Sequence, residues 1–121
     1  MIRVLLESPY AGNIEQNLRY VRACMRDCLY RNEAPFASHA LYTQPGVLDD
    51  KNKEERSMGI SAGLDWGDMA DKTVVYTDLG ISQGMHYGID RAHDIGRPVE
   101  YRTLPDHILS TILLESALKQ E

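Results

Sequence analysis

Short apolar runs alternate with longer segments of helical periodicity along the whole chain, and this alternation constrains the fold more than any other feature. The clearest run is TVVYT at 73–77, where β-branched and aromatic residues predict a strand. Further strands are predicted at 2–6, 34–37 and 98–101. The central runs are apolar throughout, which is typical of strands buried on both faces, so the pattern predicts a parallel sheet covered by helices.

Helical segments are predicted between these strands, at 13–32, 54–70, 82–95 and 105–119. The first begins on an Asn-x-x-Gln pattern that resembles a capping box, and the third is followed by a glycine suited to a helix end. The segment at 38–53 is rich in turn residues and is predicted to be a long loop. The side chains predicted to face inward are Ile14, Leu18, Val21, Met25 and Leu29 in the first helix and Ile108, Ile112 and Leu113 in the last.

Together these elements predict an α/β fold made of a single domain over residues 1–121. A chain of this length is large enough for one hydrophobic core and too small for two. Right-handed crossovers between parallel strands then give a small doubly wound, Rossmann-like domain of three layers. Its four-stranded parallel sheet is predicted to have the order 2-1-3-4.

Composition narrows the classes of partner. With 13 basic and 18 acidic residues the formal net charge is -5, and Lys and Arg are dispersed, so no nucleic-acid partner is predicted. No apolar run approaches the roughly 20 residues that span a bilayer, and the chain starts with strand-like sequence instead of a signal peptide. We therefore predict a cytoplasmic protein with no membrane partner. Cys24 and Cys28 are spaced i, i+4 and are predicted to be buried thiols, with no metal site and no cofactor.

The predicted topology indicates where a ligand would bind. In open α/β sheets, ligands lie beyond the carboxyl ends of the strands, at the point where the winding reverses. That rule brings together three predicted loops, at 8–13, 38–50 and 78–85.

The sequence GISQGM at 80–85 has the composition of an anion-binding helix start. Gly80 permits a tight turn, and Ser82 can cap the helix. Gly84 leaves room for an anion beside the free N–H groups of the first turn, which includes Met85. A helix cap followed by a glycine that is needed only for packing would have the same sequence. An anion site and a purely structural helix start therefore both stay open.

The other two loops supply polar and aromatic candidates. The SPYAGN loop offers a stacking ring, a close backbone approach and a cap, although a plain turn would use the same residues. His39 can bind a base or ribose or transfer a proton, or it can be a structural histidine. Among the carboxylates only Asp78 is predicted to face the pocket, unless it simply ends its strand. The ligand-binding candidates are therefore Ser8, Tyr10, Gly12, Asn13, His39, Gln44, Asp78, Ser82, Gly84 and Met85.

The second predicted helix carries glycine at every fourth residue, at Gly59, Gly63 and Gly67. Each glycine inside a helix costs about 1 kcal/mol relative to alanine, so three on one face indicate a close backbone approach. The sheet, a partner helix or a ligand could make that approach. We favour packing, with a contact between subunits of a homodimer or higher oligomer as the sharper hypothesis. Trp66 lies off this stripe and is predicted to be a core or interface anchor.

A set of motifs in a fixed order resembles a known superfamily. The motifs are SPYAGN after the first strand, SH after the second, LDWGDMAD, TVVY, GISQGM and GRPVEY. Their order and spacing over residues 2–102 resemble the nucleoside 2-deoxyribosyltransferase-like superfamily, which includes deoxyribosyltransferases and nucleotide N-glycoside hydrolases. The likeness is strongest to small members found in phages and prophages.

The resemblance implies roles for individual residues. In the superfamily's hydrolases, a serine and a glycine at the start of the third helix hold the 5′-phosphate, and the matching residues are Ser82 and Gly84. The nucleophilic glutamate of those enzymes corresponds to Gly88, and a second carboxylate corresponds to Gly63. Glycine supplies neither a nucleophile nor a proton, so no catalytic residue is predicted at either position.

The resemblance therefore predicts a nucleotide-binding protein that keeps the phosphate site and lacks the catalytic pair. Such a protein would sequester or sense a nucleotide or nucleotide-derived molecule. The alternative is an active N-glycoside hydrolase or 2-deoxyribosyltransferase that recruits Asp78, Asp90 or His39. A third alternative is an interaction module whose pocket is vestigial.

Overall fold

The computed structural model describes residues 1–119, which form a four-stranded sheet flanked by helices. The strands are β1 (Ile2–Glu7), β2 (Glu33–Phe36), β3 (Lys72–Tyr76) and β4 (Val99–Arg102). All strand pairs are parallel and the order is β2-β1-β3-β4. The predicted fold class and strand order are thus confirmed.

Helices cover both faces of the sheet. The helices α1 (Ile14–Tyr30) and α5 (Asp106–Lys119) pack together on one face, and α3 (Lys53–Gly67) and α4 (Gln83–Ile95) pack on the other. The predicted loop after β2 begins with a short helix instead, α2 (Ser38–Leu41), which packs against α3. Across residues 1–119, no helix is both long enough and apolar enough to cross a membrane.

The buried residues of α1 differ from the predicted ones, because the prediction considered only apolar residues. Leu29 is 52% exposed, whereas the polar Asn17 is buried. Asn17 belongs inside because its amide donates to the carbonyls of Tyr10 and Ala11, at 2.8 and 3.1 Å, and so holds the loop after β1. The buried residues of α1 are Asn17, Tyr20, Val21, Cys24 and Cys28, so both cysteines are buried thiols, as predicted.

The inward face of α5 also needs one correction. Ile112 is buried and Ile108 packs against the core, as predicted, but Leu113 is 42% exposed. Successive residues of a helix are separated by about 100°, so Leu113 cannot share the buried face with Ile112. One turn further, Ser116 is buried instead, and its hydroxyl donates to the carbonyl of Ile112 at 3.0 Å.

The glycine stripe of α3 packs against the chain's own fold. A Cβ atom on Gly67 would lie 2.7 Å from Leu5 Cδ2 of β1, and one on Gly63 would lie 2.5 Å from Ser38 Oγ of α2. Packing within the chain therefore explains Gly63 and Gly67, and a subunit contact through this stripe stays a prediction. Trp66 is not a core residue, since it is 61% exposed and lies beside Phe36 with ring centroids 6.0 Å apart.

Candidate functional site

A cleft opens at the carboxyl ends of β1 and β3, where the direction of winding reverses. It contains about 690 Å³ of empty space, counting its open mouth. The three loops predicted to meet here all contribute to its wall. The lining residues are Glu7, Ser8, Tyr10 and Ala11 from β1 and its loop, Ser38 and His39 from α2, Asp50, Arg56 and Ile60 from α3 and the loop before it, and Ser82, Gln83, Gly84 and Met85 from the start of α4.

The amino end of α4 faces into the cleft. Gly80 turns the chain with φ +85°, and the Ser82 hydroxyl accepts a hydrogen bond from the backbone N–H of Met85 at 3.4 Å. A Cβ atom on Gly84 would have no neighbour closer than 3.9 Å, so this turn is open to the cleft. Within the described residues, the N–H groups of Gln83 and Gly84 have no acceptor. Such N–H groups at a helix start bind anions.

Arg56 of α3 places a positive charge opposite this helix end. Its Nη2 lies 3.9 Å from the position that a Cβ atom on Gly84 would occupy. The only ion pair of Arg56 within residues 1–119 is a loose one, with Nε 3.8 Å from Oδ1 of Asp50. A guanidinium group beside free helix N–H groups is suited to a phosphate.

Ser8 and His39 form a polar pair on the wall of the cleft. The Ser8 hydroxyl and His39 Nε2 share a hydrogen bond of 2.7 Å. Burial lowers the pKa of His39 to about 4, so the imidazole is neutral near neutral pH. A neutral imidazole and a hydroxyl can both donate and accept hydrogen bonds, which suits the hydroxyl groups of a sugar.

Glu7, the last residue of β1, places a carboxyl group at the floor of the cleft. A Cβ atom on Gly88 of α4 would lie 2.0 Å from Glu7 Oε2 and 2.6 Å from its Cδ, so the Glu7 carboxyl fills the space beside residue 88. Burial raises the pKa of Glu7 to about 8, and the positive charge of Arg97 opposes this shift. Glu7 is therefore mainly protonated at neutral pH.

The prediction that Asp78 is the carboxylate facing the pocket is wrong. The Asp78 carboxylate accepts hydrogen bonds from the Tyr20 hydroxyl at 2.7 Å and from the Leu104 N–H at 3.0 Å, so it ties β3 to α1 and to the segment before α5. Asp90, named as a substitute acid, is exposed on α4. Glu7 faces the cleft instead.

Of the predicted site residues, Ser8, Tyr10, His39, Ser82, Gly84 and Met85 line the cleft together. The others have different roles. Gly12 makes a turn with φ +99°, and Asn13 Oδ1 caps α1 by accepting from the Gln16 N–H at 3.2 Å. Gln44 donates from Nε2 to the carbonyl of Ala40 at 2.8 Å and lines a separate hollow between α1, β2 and α2.

Three further residues that the sequence did not predict as site residues line the cleft, namely Glu7, Ser38 and Arg56. A signal for Glu7 existed, because it is an acidic residue at the carboxyl end of a central strand, and those strand ends border the pocket. No comparable signal existed for Arg56, which is one of several charged residues in the first turns of α3. Its position in the cleft depends on how α3 packs across α4.

Comparisons with known proteins give one finding on family. Residues 2–102 match a family model whose description is "Domain of unknown function (DUF7768)". The match runs from β1 to β4 and so includes every element that lines the cleft, while α5 lies beyond it. No match was found among curated proteins.

Proposed function

The chain belongs to the family described as a domain of unknown function (DUF7768), and from the geometry of its cleft we propose that the protein binds a phosphorylated small molecule of the nucleotide class. The observation that carries this proposal is the meeting of two anion-binding features. The free N–H groups of Gln83 and Gly84 and the guanidinium of Arg56 converge on one wall. The phosphate would bind between them.

The rest of the cleft suits a sugar and a base. Next to the phosphate site, Ser8 and His39 offer hydrogen bonds to ribose hydroxyls, and the ring of Tyr10 lines the same space. The cleft continues between α2 and α3 into a hollow whose wall combines the apolar Leu48 and Ile60 and the ring of Tyr42 with the charged Asp50, Glu55 and Arg56. The base would bind at this end of the cleft, against the apolar part of the wall.

The test is binding of nucleoside monophosphates, measured by the melting temperature and by titration calorimetry. We expect nucleoside monophosphates to stabilise the protein, and the matching nucleosides without phosphate to do so much less. A ligand at 100 times its Kd raises the free energy of unfolding by about 2.7 kcal/mol, which is readily measured.

Two arginine substitutions test where the phosphate binds. Arg56→Ala should weaken nucleotide binding at least tenfold, because a charge-assisted hydrogen bond contributes about 1.5–3 kcal/mol. Arg22→Ala is the matched control, since Arg22 is an exposed arginine on α1, outside the cleft. Equal affinity for nucleosides and their phosphates, or equal loss in both variants, would contradict the proposed phosphate site. No nucleotide-dependent change in melting temperature would favour a vestigial pocket.

A further inference from the structure

The two edges of the sheet differ in whether they can pair with a further strand. β2 forms one edge and contains Pro35, which has no N–H group, and a proline on an edge strand hinders pairing with another strand. β4 forms the other edge, and none of its four residues, Val99–Arg102, is a proline. The edge at β4 is therefore the one that is open to another strand.

The backbone of β4 presents free hydrogen-bonding groups at this edge. The Thr77 N–H donates to the Arg102 carbonyl at 2.9 Å, so the backbone groups of Arg102 face β3. Because the direction of these groups alternates along a strand, the N–H and C=O groups of Val99 and Tyr101 point away from β3. Within residues 1–119 these outward groups have no hydrogen-bond partner. Such an edge is a template for pairing with another chain.

The side chain of Tyr101 lies at this edge and is 53% exposed. It points to the same face of the sheet as Val99, which packs against Val75 under α4. Ile95, the last residue of α4, is also exposed, and α4 packs on this face of β4. Aromatic side chains that become buried between two partners contribute much of the binding energy of an interface. The exposed ring of Tyr101 is therefore suited to an interface.

The sequence of β4 is complementary to itself in antiparallel pairing. Two copies related by a two-fold axis at Tyr101 place each Glu100 opposite Arg102 of the second copy. Opposite charges directly across a strand pair stabilise it, whereas like charges destabilise it. A two-fold axis at Glu100 or at Arg102 would place like charges opposite each other. The charges thus select the alignment in which Tyr101 lies opposite Tyr101 of the second copy.

Glu100 is able to contact a second guanidinium group. Its carboxylate already accepts a hydrogen bond from Arg102 and lies 3.1 Å from Nζ of Lys72 in its own chain, but the side chain remains partly exposed. In the selected alignment, Glu100 and Arg102 of both copies form one cluster of alternating charge on the face that α1 and α5 cover.

The exposed leucines of α5 add apolar area on that face. Ile112 belongs to the same apolar cluster as Tyr76 of β3, so α5 lies over the strand next to β4. Leu113, Leu114 and Leu118 of this helix are all exposed. Stable dimers bury roughly 1,600 Å² in total, which is more than two short strands supply. With the two β4 strands paired, α5 and its copy flank the joined edge and supply part of the remaining area.

From these observations we propose that two copies of the chain associate through β4, antiparallel about a two-fold axis at Tyr101, so that their sheets join into one. The N–H and C=O groups of Tyr101 exchange two hydrogen bonds with those of Tyr101 in the second copy. Among the described residues, none of β4 or α5 lines the cleft, so both clefts stay open in the dimer. This interface does not depend on the proposed function.

Charge substitutions at Tyr101, followed by sedimentation velocity over a range of protein concentrations, test the interface. We expect the full wild-type chain to form dimers. Tyr101→Lys and Tyr101→Glu should each raise the dimer dissociation constant about tenfold or more, because like charges then lie directly opposite and the aromatic contact is lost. Tyr30→Lys changes an exposed tyrosine on α1, which packs beside β2, and as the matched control it should dimerise like the wild type.

A mixture of the two charged variants tests the alignment. Lys at residue 101 of one chain would lie opposite Glu at residue 101 of the other, so we expect the mixture to form a dimer that neither variant forms alone. This recovery also shows that both variants are folded. A mixture that stays monomeric, a wild-type chain that is monomeric at every concentration, or a Tyr101→Lys variant that dimerises like the wild type would each overturn the proposal.

Amide hydrogen exchange measured by NMR reports on the hydrogen bonds themselves. The N–H of residue 101 should exchange about tenfold or more faster in Tyr101→Lys than in the wild type, because only the dimer gives it an acceptor. The N–H of Glu100 faces β3 and should be equally protected in both proteins. Equal exchange at residue 101 in the two proteins would contradict pairing through this edge.

Discussion

The side chain of Glu7 points to the same face of the sheet as that of Leu5, because alternate residues of a strand share a face. Leu5 packs under Gly67 of α3, whereas Glu7 reaches the open end of the same layer, under Gly88 of α4. On this face of β1, Leu5 therefore belongs to the core, and Glu7, the next residue on the same face, belongs to the cleft. At this position a carboxyl group is surrounded by protein on one side and by the ligand space on the other.

The raised pKa of Glu7 makes a prediction about stability. In the folded protein the carboxyl keeps its proton up to about pH 8, whereas in the unfolded chain it ionises near 4.5. The folded state thus binds more protons between these pH values, and the free energy of unfolding falls as the pH rises through this window. We expect Glu7→Gln to raise the free energy of unfolding at pH 8 by about 2–4 kcal/mol and to change it little at pH 4.

Urea denaturation at the two pH values measures this effect. Glu54→Gln, at an exposed position in the first turn of α3, serves as the control and should shift stability by no more than about 0.5 kcal/mol. Equal stabilisation of Glu7→Gln at both pH values would show that the wild-type carboxyl does not hold its proton in the fold.

Among the elements, three strands are linked by a buried charged cluster. Arg102 of β4 donates to both carboxylate oxygens of Glu33 of β2, at 2.7 and 2.5 Å, and Lys72 of β3 lies 3.1 Å from the same carboxylate. Arg102 and Glu33 are both buried, and Arg102 also contacts Tyr76. The cluster ties the two edge strands to the sheet, which short strands need because they form few backbone hydrogen bonds.

Removing one partner of this cluster should be costly. Hydrogen bonds from Arg102 and Lys72 hold the pKa of Glu33 at about 2, below its ordinary 4.5, so its contribution is complete above about pH 4.5 and is lost as the pH falls toward 2. Glu33→Gln leaves the buried Arg102 with only the partly exposed Glu100 as its anion and should lower the free energy of unfolding by about 3 kcal/mol at pH 7. The difference from the wild type should shrink at pH 3.

Denaturant titrations at pH 7 and pH 3 would show this pattern. Glu100→Gln is a useful comparison, because Glu100 pairs with the same two cations but its side chain is 42% exposed. Its loss should cost about 1 kcal/mol or less. A similar cost for both variants would mean that burial does not strengthen the Glu33 pair.

In the whole molecule, one face of the sheet carries most of the hydrophobic core and the other carries the cleft. The face covered by α1 and α5 holds the larger apolar cluster, which includes Tyr20, Tyr76 and Ile112. The face covered by α3 and α4 holds a smaller apolar cluster, of Val75, Met85 and Ile89. The cleft lies on this face, at the carboxyl ends of the strands. Stability and ligand binding should therefore respond to different substitutions.

Ile112→Ala tests this separation. It should lower the free energy of unfolding by about 2–4 kcal/mol through lost burial and a new cavity, while leaving nucleotide affinity unchanged. Leu113→Ala, one residue along but exposed, should cost about 0.5 kcal/mol or less. Melting curves and nucleotide titrations on both variants measure the two effects. If Ile112→Ala lowers nucleotide affinity at a temperature where the variant is fully folded, stability and ligand binding do not depend on separate faces of the sheet.

Local sequence predicted the four strands, the four longer helices and the fold class, whereas the short helix α2 was predicted to be part of a loop. β-branched runs such as TVVYT form strands wherever they are buried, and parallel strands joined by helices have few topologies, so the order β2-β1-β3-β4 followed from the alternation. The helix start at Ser82 and the turn at Gly80 were predictable because capping depends on neighbours within a few residues.

The tertiary structure decided which side chains meet in the cleft. Glu7 and Gly88 are 81 positions apart in sequence, and nothing local to either residue reports that one fills the space of the other. The sequence predicted Asp78 as the carboxylate of the pocket, but in the fold this carboxylate accepts hydrogen bonds from the Tyr20 hydroxyl and the Leu104 N–H. Contacts between a strand and the helix over it depend on how the helices pack on the sheet, and that packing is set by the whole chain at once, so the fit of the Glu7 carboxyl beside Gly88 is visible only in the folded molecule.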